Sequence, residues 1–157
     1  MLRPIQIAWD SLLGPMLQRP KKLQMAALCH RGEGDQKEYL LVTSRDTARW
    51  IIPKGWPIRG LKSSETALRE AWEEAGVTNS PVTSAPIGRY TYQKKRANGF
   101  EVPVETLVYS VAVNDLALDF PEARERERKW VSADTAAEMV NEAQLKSIFR
   151  EHQAAIQ

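Results

Sequence analysis

The chain has 157 residues and 17.8 kDa, with 43% apolar and 27% charged side chains, which fits about one globular domain and disfavours a disordered chain. No apolar run reaches the roughly 20 residues that cross a bilayer, and Arg3, Asp10 and Pro15 interrupt the N-terminus, which lacks a signal-peptide layout; the expected compartment is the cytoplasm. The mild net charge of +2 argues against an extended nucleic-acid surface, yet residues 1–69 hold 12 basic and 6 acidic side chains and the rest hold 10 and 14.

In chain order, residues 1–20 mix apolar runs with Pro4, Gly14, Pro15 and Pro20 and are expected to form an N-terminal arm ahead of a single domain over 21–157. Leu23 to Arg31 predicts a mostly buried strand, GEGDQK a turn, and Glu38 to Ser44 the returning strand. Cys29 lies in the first of these; as the single cysteine it makes no internal disulfide and leaves no cysteine cluster for zinc. A short strand at Trp50 to Ile52 stops at Pro53, and a loop rich in proline and glycine leads into SETALREAWEEAG, the clearest helix. Ser63 or Ser64 is expected to cap it and Gly76 to end it, with Ala67, Leu68, Ala71, Trp72 and Ala75 on the core face. Two β-rich stretches follow, Ile87 to Gln93 and Val102 to Val113, then a short strand at Lys129 to Val131. A helix from about Ala143 to Ala155 carries the stripe Leu145, Ile148 and Phe149. Strands on both sides of a central helix, with a helix at the end, predict a mixed α/β layered domain. His30 and His152 have no partner at metal-ligand spacing, and Tyr90 and Tyr92 alternate on one strand face, where they either pack in the core, the favoured reading, or line a site.

Chemistry concentrates on the central helix. Glu70, Glu73 and Glu74 lie three and four residues apart, so they are neighbours on its surface and repel one another. Arg69, four residues before Glu73, relieves part of this. Taken alone, three glutamates on a helix more often form a solvated acidic face. Against that, the excess of anionic oxygen suits a hard divalent cation such as Mg²⁺. Upstream, Arg45, Arg49, Lys54 and Arg59 flank the loop, and Lys94, Lys95 and Arg96 sit in a later turn. Such cations serve solubility or hold phosphates. Trp56 is placed to line a site or stack on a base.

Gly55, followed at an interval by REAWEEAGV from Arg69 to Val77, resembles the Nudix box: a glycine, a glutamate six positions on, then Arg-Glu-apolar-any-Glu-Glu-any-Gly-apolar. Every element from Arg69 to Val77 fits. Leu61 stands where the family usually has the first glutamate, so the box is incomplete and its loop support altered. The resemblance implies a Nudix fold, a mixed β-sheet sandwiched between α-helices, and a pyrophosphohydrolase dependent on Mg²⁺ or Mn²⁺. It implies Glu70, Glu74 and the Gly55 carbonyl as metal ligands, Glu73 as general base and Arg69 as the residue that orients the glutamates.

SRDTARWIIPKG (Ser44 to Gly55) and RERERKWVSADTA (Arg124 to Ala136) are similar to the diphosphoinositol-polyphosphate and diadenosine-polyphosphate branch of that family. This similarity implies phosphate contacts from Lys22, Arg45, Lys94 or Lys95, and Arg126, with Lys54 beside them. Many family members take a further acidic metal ligand from a later loop, for which Glu125 and Glu127 are candidates. The implied substrate is a small polyphosphate, diadenosine polyphosphate favoured over inositol pyrophosphate. Alternatives are an RNA 5′-end or nucleotide-sanitising pyrophosphohydrolase, the one way nucleic acid enters, and a non-catalytic nucleotide-binding module. No membrane partner is implied.

Overall fold

A computed structural model describes residues 22–155; the expected N-terminal arm lies outside the described residues. The long strand β1 (Lys22–Arg31) has seven successive buried residues, Gln24 to His30. Both of its faces are covered, so an uninterrupted apolar run replaces the usual alternation. Ala26 and Leu28 enter one core and Met25, Ala27 and Cys29 the other. Around it gather β2 (Glu38–Thr43), β3 (Trp50–Ile51), β4 (Lys54–Gly55), β6 (Gly88–Lys95), β7 (Glu101–Ala112) and β9 (Arg128–Ser132) in a seven-stranded sheet. Its main order is β3-β2-β1-β7-β6, with β4 joined to β1 and β9 to β2. The β1–β7 pair is parallel and the others are antiparallel, so the sheet is mixed as expected. A second, two-stranded sheet joins β5 (Val77–Thr78) to β8 (Asp115–Leu116); two-residue strands carry no periodicity to read.

Helices cover both faces. On one side α1 (Ser63–Ala75) buries Ala67, Ala71 and Ala75 against Met25, Ala27 and Leu40. On the other, α2 (Ala133–Met139) and α3 (Ala143–Ala154) pack Ala136, Leu145, Ile148 and Phe149 onto Leu28, Tyr39, Tyr90 and Val108. The sandwich expected from the resemblance is therefore present. Phe149 is fully enclosed, which contributes about 2–3 kcal/mol of burial.

Two details of α1 differ from expectation. Neither serine caps it: Lys62 is the N-cap, and the Glu65 carboxylate accepts its backbone N–H at 2.8 Å. Three residues into the helix, a carboxylate satisfies that donor and suits the positive end of the dipole. Leu68 and Trp72 are only partly buried, whereas Glu74 is 3% exposed. The C-terminus is as read, with Gly76 at φ 75° and its N–H returned to Trp72 O at 2.9 Å. A β-carbon there would meet Phe120 Cδ1 at 2.6 Å and Ala117 O at 2.9 Å, so glycine is required on two counts. Arg128 Nη1 donates to Ala75 O at 2.7 Å, a cation at the negative end of the dipole.

The end of α3 is tied down by polar side chains. His152 Nδ1 meets the Tyr39 hydroxyl at 2.8 Å, its Nε2 meets Ser110 Oγ at 3.1 Å, and Ser110 Oγ meets His30 Nε2 at 2.8 Å. The two imidazole centroids are 4.4 Å apart, and Lys37 Nζ donates to His152 O at 3.1 Å. Burial, reinforced by His30 and then Lys37, lowers the His152 pKa to about 4. Burial and then Lys37 lower that of His30.

Candidate active site

Strand β1 meets β2 only at His30–Tyr39 and Arg31–Glu38, while β4 pairs with it further back, at Met25–Gly55 and Ala26–Lys54. Past that divergence lies a cleft of about 470 Å³ into which α1 presents its glutamates. Glu70, Glu73, Glu74, Gly55, Lys54, Arg45, Lys94 and Arg126 all line it. Lys22 and Lys95 line an adjoining pocket of about 500 Å³ that shares Trp56 and Lys94 with the cleft. Arg69 is exposed and makes no ion pair with Glu73 among the described residues, so the expected brace between them is not formed.

Glu74 is the unusual group. Its Oε2 accepts a long 3.4 Å bond from the Lys54 N–H, and its Oε1, 3.4 Å from Arg126 Nη2, has no hydrogen bond although fully enclosed. Burial, then the neighbouring Glu70, pushes its carboxyl up to about 8 against the opposing pull of Arg126 and Lys54. Burial also raises Glu70, with Glu73 and Glu122 adding repulsion. A β-carbon at Gly55 would land on the Glu70 carboxyl group, so glycine alone lets the loop backbone come this close. A buried carboxylate oxygen without a hydrogen bond, a second carboxylate and a backbone brought up to it fit a divalent cation that prefers oxygen. Among the described residues no three His, Cys, Asp or Glu side chains cluster at ligating distance. A cation here would therefore rest on Glu70, Glu74 and the Gly55 carbonyl, with water or phosphate completing its shell.

Arg126 is less free than a simple phosphate contact requires. Its Nε and Nη2 hold Glu122 Oε1 at 3.2 and 2.9 Å, and its Nη1 donates to Thr43 O at 2.8 Å. Arg45 is exposed and pairs with Glu122 at 3.4 Å and Glu125 at 3.7 Å. Lys54 Nζ lies 4.9 Å from the centre of the Tyr92 ring, and burial lowers its pKa to about 8. The late-loop acid in the cleft is Glu122; Glu125 and Glu127 are exposed outside its lining. Nothing in EARERER marks Glu122, except that it stands four residues before Arg126. Gln24 and Tyr92 also line the cleft; the sequence leaves Tyr92 open between core and site, and nothing in it singles out Gln24. Leu61 is half-buried outside the lining, its N–H closing a turn on Ile58 O at 3.0 Å.

A family model described as NUDIX domain matches residues 22–151. The chain is 32% identical over 102 residues to Nudix hydrolase 4 of Arabidopsis thaliana, a match covering 65% of this chain and 47% of that protein, so it spans about half of that relative's length. It is 28% identical over 121 residues to human diphosphoinositol polyphosphate phosphohydrolase 3-beta, covering 76% of this chain and 69% of the relative. The fold is similar to that of a C. elegans Ap4A hydrolase, with a TM-score of 0.62 and 21% identity over 86% of this chain and 98% of that one. With the glutamates of α1 gathered at Gly55 and the family model spanning nearly the whole described structure, the chain belongs to the Nudix family.

Proposed function

We propose that this cleft hydrolyses a diphosphate linkage in a nucleoside polyphosphate, with diadenosine polyphosphates favoured, using Mg²⁺ or Mn²⁺ held by Glu70, Glu74 and the Gly55 carbonyl. The observation that carries the reading is Glu74, buried at 3% exposure with Oε1 lacking a hydrogen bond beside Glu70, in a cleft also lined by Arg45, Lys54, Lys94 and Arg126. When bound, the cation neutralises phosphate oxygens and lowers the pKa of water. Glu73, on the same helix and in the cleft lining, takes the proton as a water oxygen attacks phosphorus and the bridging P–O bond breaks. Lys54, Lys94 and Arg45 bind the remaining phosphate oxygens, and Lys22 and Lys95 extend the cationic track into the adjoining pocket. Arg126 keeps Glu122 and Glu74 in register, and its contact with phosphate would require release from Glu122.

The test is Glu73→Gln, assayed for phosphate release from diadenosine polyphosphate, inositol pyrophosphate, nucleoside triphosphates and 5′-triphosphorylated RNA with Mg²⁺ or Mn²⁺. Loss of a positioned base lowers kcat by about 10²- to 10⁴-fold; equal release by both proteins would sink the hydrolase reading. Leu61 supports a second reading, a module that binds nucleotides without cleaving them, because the usual box glutamate is missing. That reading requires saturable binding with no turnover by the wild type on any of these substrates.

A further inference from the structure

Gln24 is 4% exposed on β1, with its side chain at the cleft. Its Oε1 accepts a 2.5 Å hydrogen bond from the Tyr92 hydroxyl, itself on a largely buried side chain. A carboxamide is planar, with an acceptor at one end and two donors at the other, so engaging the oxygen fixes where the donors face. Among the described residues no acceptor meets Gln24 Nε2. Nor is that nitrogen sealed in: the enclosed partnerless side-chain atoms are Glu74 Oε1, Thr106 Oγ1 and Glu142 Oε2. No described residue takes up its donors, and the side chain lines the cleft.

Beside it stands an aromatic surface. The antiparallel register of Met25 with Gly55 and Ala26 with Lys54 places Trp56, one residue on, across from Gln24. Trp56 is 42% exposed and borders both the glutamate cleft and the basic pocket. An exposed indole gives a planar ring a surface to stack on. Lys54 and Lys94 already supply charge-assisted donors, which are about twice as strong toward phosphate as a neutral amide. A pinned neutral donor at the rim of an indole is better matched to a neutral acceptor in the plane of a stacked ring.

We propose that Gln24, pinned by Tyr92, is a specificity-determining residue that donates to the edge of a nucleobase seated on Trp56, so that the substrate is a nucleotide and not a base-free polyphosphate. This rests on the reading of the cleft as a polyphosphate site and narrows its substrate class.

The experiment is calorimetric binding of ATP, GTP, CTP, UTP and inorganic tripolyphosphate to the wild type, Gln24→Met and Tyr92→Phe, each checked for folding by circular dichroism. Tyr92→Phe keeps the ring and frees only the amide. The wild type is expected to bind at least one nucleotide about tenfold or more tightly than tripolyphosphate, and both variants to erase most of that gap (tenfold is 1.4 kcal/mol). Equal wild-type affinity for tripolyphosphate and all four nucleotides would overturn the proposal. So would a gap that survives both variants, or an equal loss of affinity for tripolyphosphate, which would make Gln24 a phosphate contact. Base preference without turnover would leave this inference standing and sink the hydrolase reading; turnover without base preference would do the reverse.

Discussion

His152→Gln examines how the last helix is held and what acid does to it. In the native protein both imidazoles of the His30–Ser110–His152 chain lie in a setting that disfavours their charged forms. The groups packed around them are Tyr39 and Lys37 from β2 and its lead-in, with Ser110 from β7. Among the described residues the charge acting on both rings is that of Lys37, which adds to the cost of protonating them. A histidine whose folded pKa is depressed gives stability that is complete above the unfolded value of 6.5 and lost as pH falls toward the folded value of about 4. Linkage between these two values gives a loss of about 2 kcal/mol on going from pH 8 to pH 5, which partial solvent access to the half-buried ring trims to about 1–2 kcal/mol. Glutamine retains a donor and an acceptor but cannot titrate, so at pH 8 the substitution costs about 1 kcal/mol for imperfect hydrogen bonds. Urea unfolding of both proteins at pH 8 and pH 5 reads the effect as a difference of differences, which cancels the titration of other groups. The wild type should lose about 1–2 kcal/mol more than His152→Gln across that interval. Equal losses would refute the argument that this cluster is held neutral by burial.

Glu74→Gln should have opposite effects on activity and stability: Mn²⁺ binding by calorimetry falls at least tenfold, while metal-free stability at pH 9 rises by about 2 kcal/mol. Because the folded pKa of Glu74 is raised to about 8, its contribution is complete below pH 4.5 and lost as pH rises through 8, so the gain should vanish at pH 4. Gly76→Ala should cost about 2–3 kcal/mol in urea unfolding, since alanine resists φ 75° and its β-carbon meets Phe120 and Ala117 O; a loss under 0.5 kcal/mol would show that the turn relaxes.

What was legible in the sequence was what local pattern specifies. β1 announced itself because a strand buried on both faces needs an unbroken apolar run, and α3 because Leu145, Ile148 and Phe149 form a stripe. The seven residues of α2 escaped notice, although Ser132 does accept the Thr135 N–H at 3.2 Å as an N-cap; so short a helix shows too few turns to reveal a face. The depth of Glu74 is harder to read. Ala67, Ala71 and Glu74 fall at i, i+4 and i+7, the spacing of a core stripe, yet the charge suggested solvent. The roles of Gln24 and His152 depend on partners 68 and 113 residues away, which no window of sequence brings together.

The uneven charge of the chain gains meaning from that buried glutamate. A carboxylate at 3% exposure with a partnerless oxygen costs stability, and Arg126 at 3.4 Å offsets only part of it because the same guanidinium is committed to Glu122 and Thr43 O. The first-half cations offset it only in part: Lys54 attracts it but rests its ammonium over Tyr92 and bonds it only through the backbone N–H, while Arg45 turns to Glu122 and Glu125. Acidic and basic groups thus share one cleft, Arg126 and Arg45 pairing with Glu122 while Glu74 keeps an oxygen without a hydrogen bond. On the proposed reading, a divalent cation would meet the carboxylates and a polyphosphate would meet cation and lysines alike. The buried Glu74 oxygen is then the unfavourable half of an interaction that such a ligand would complete.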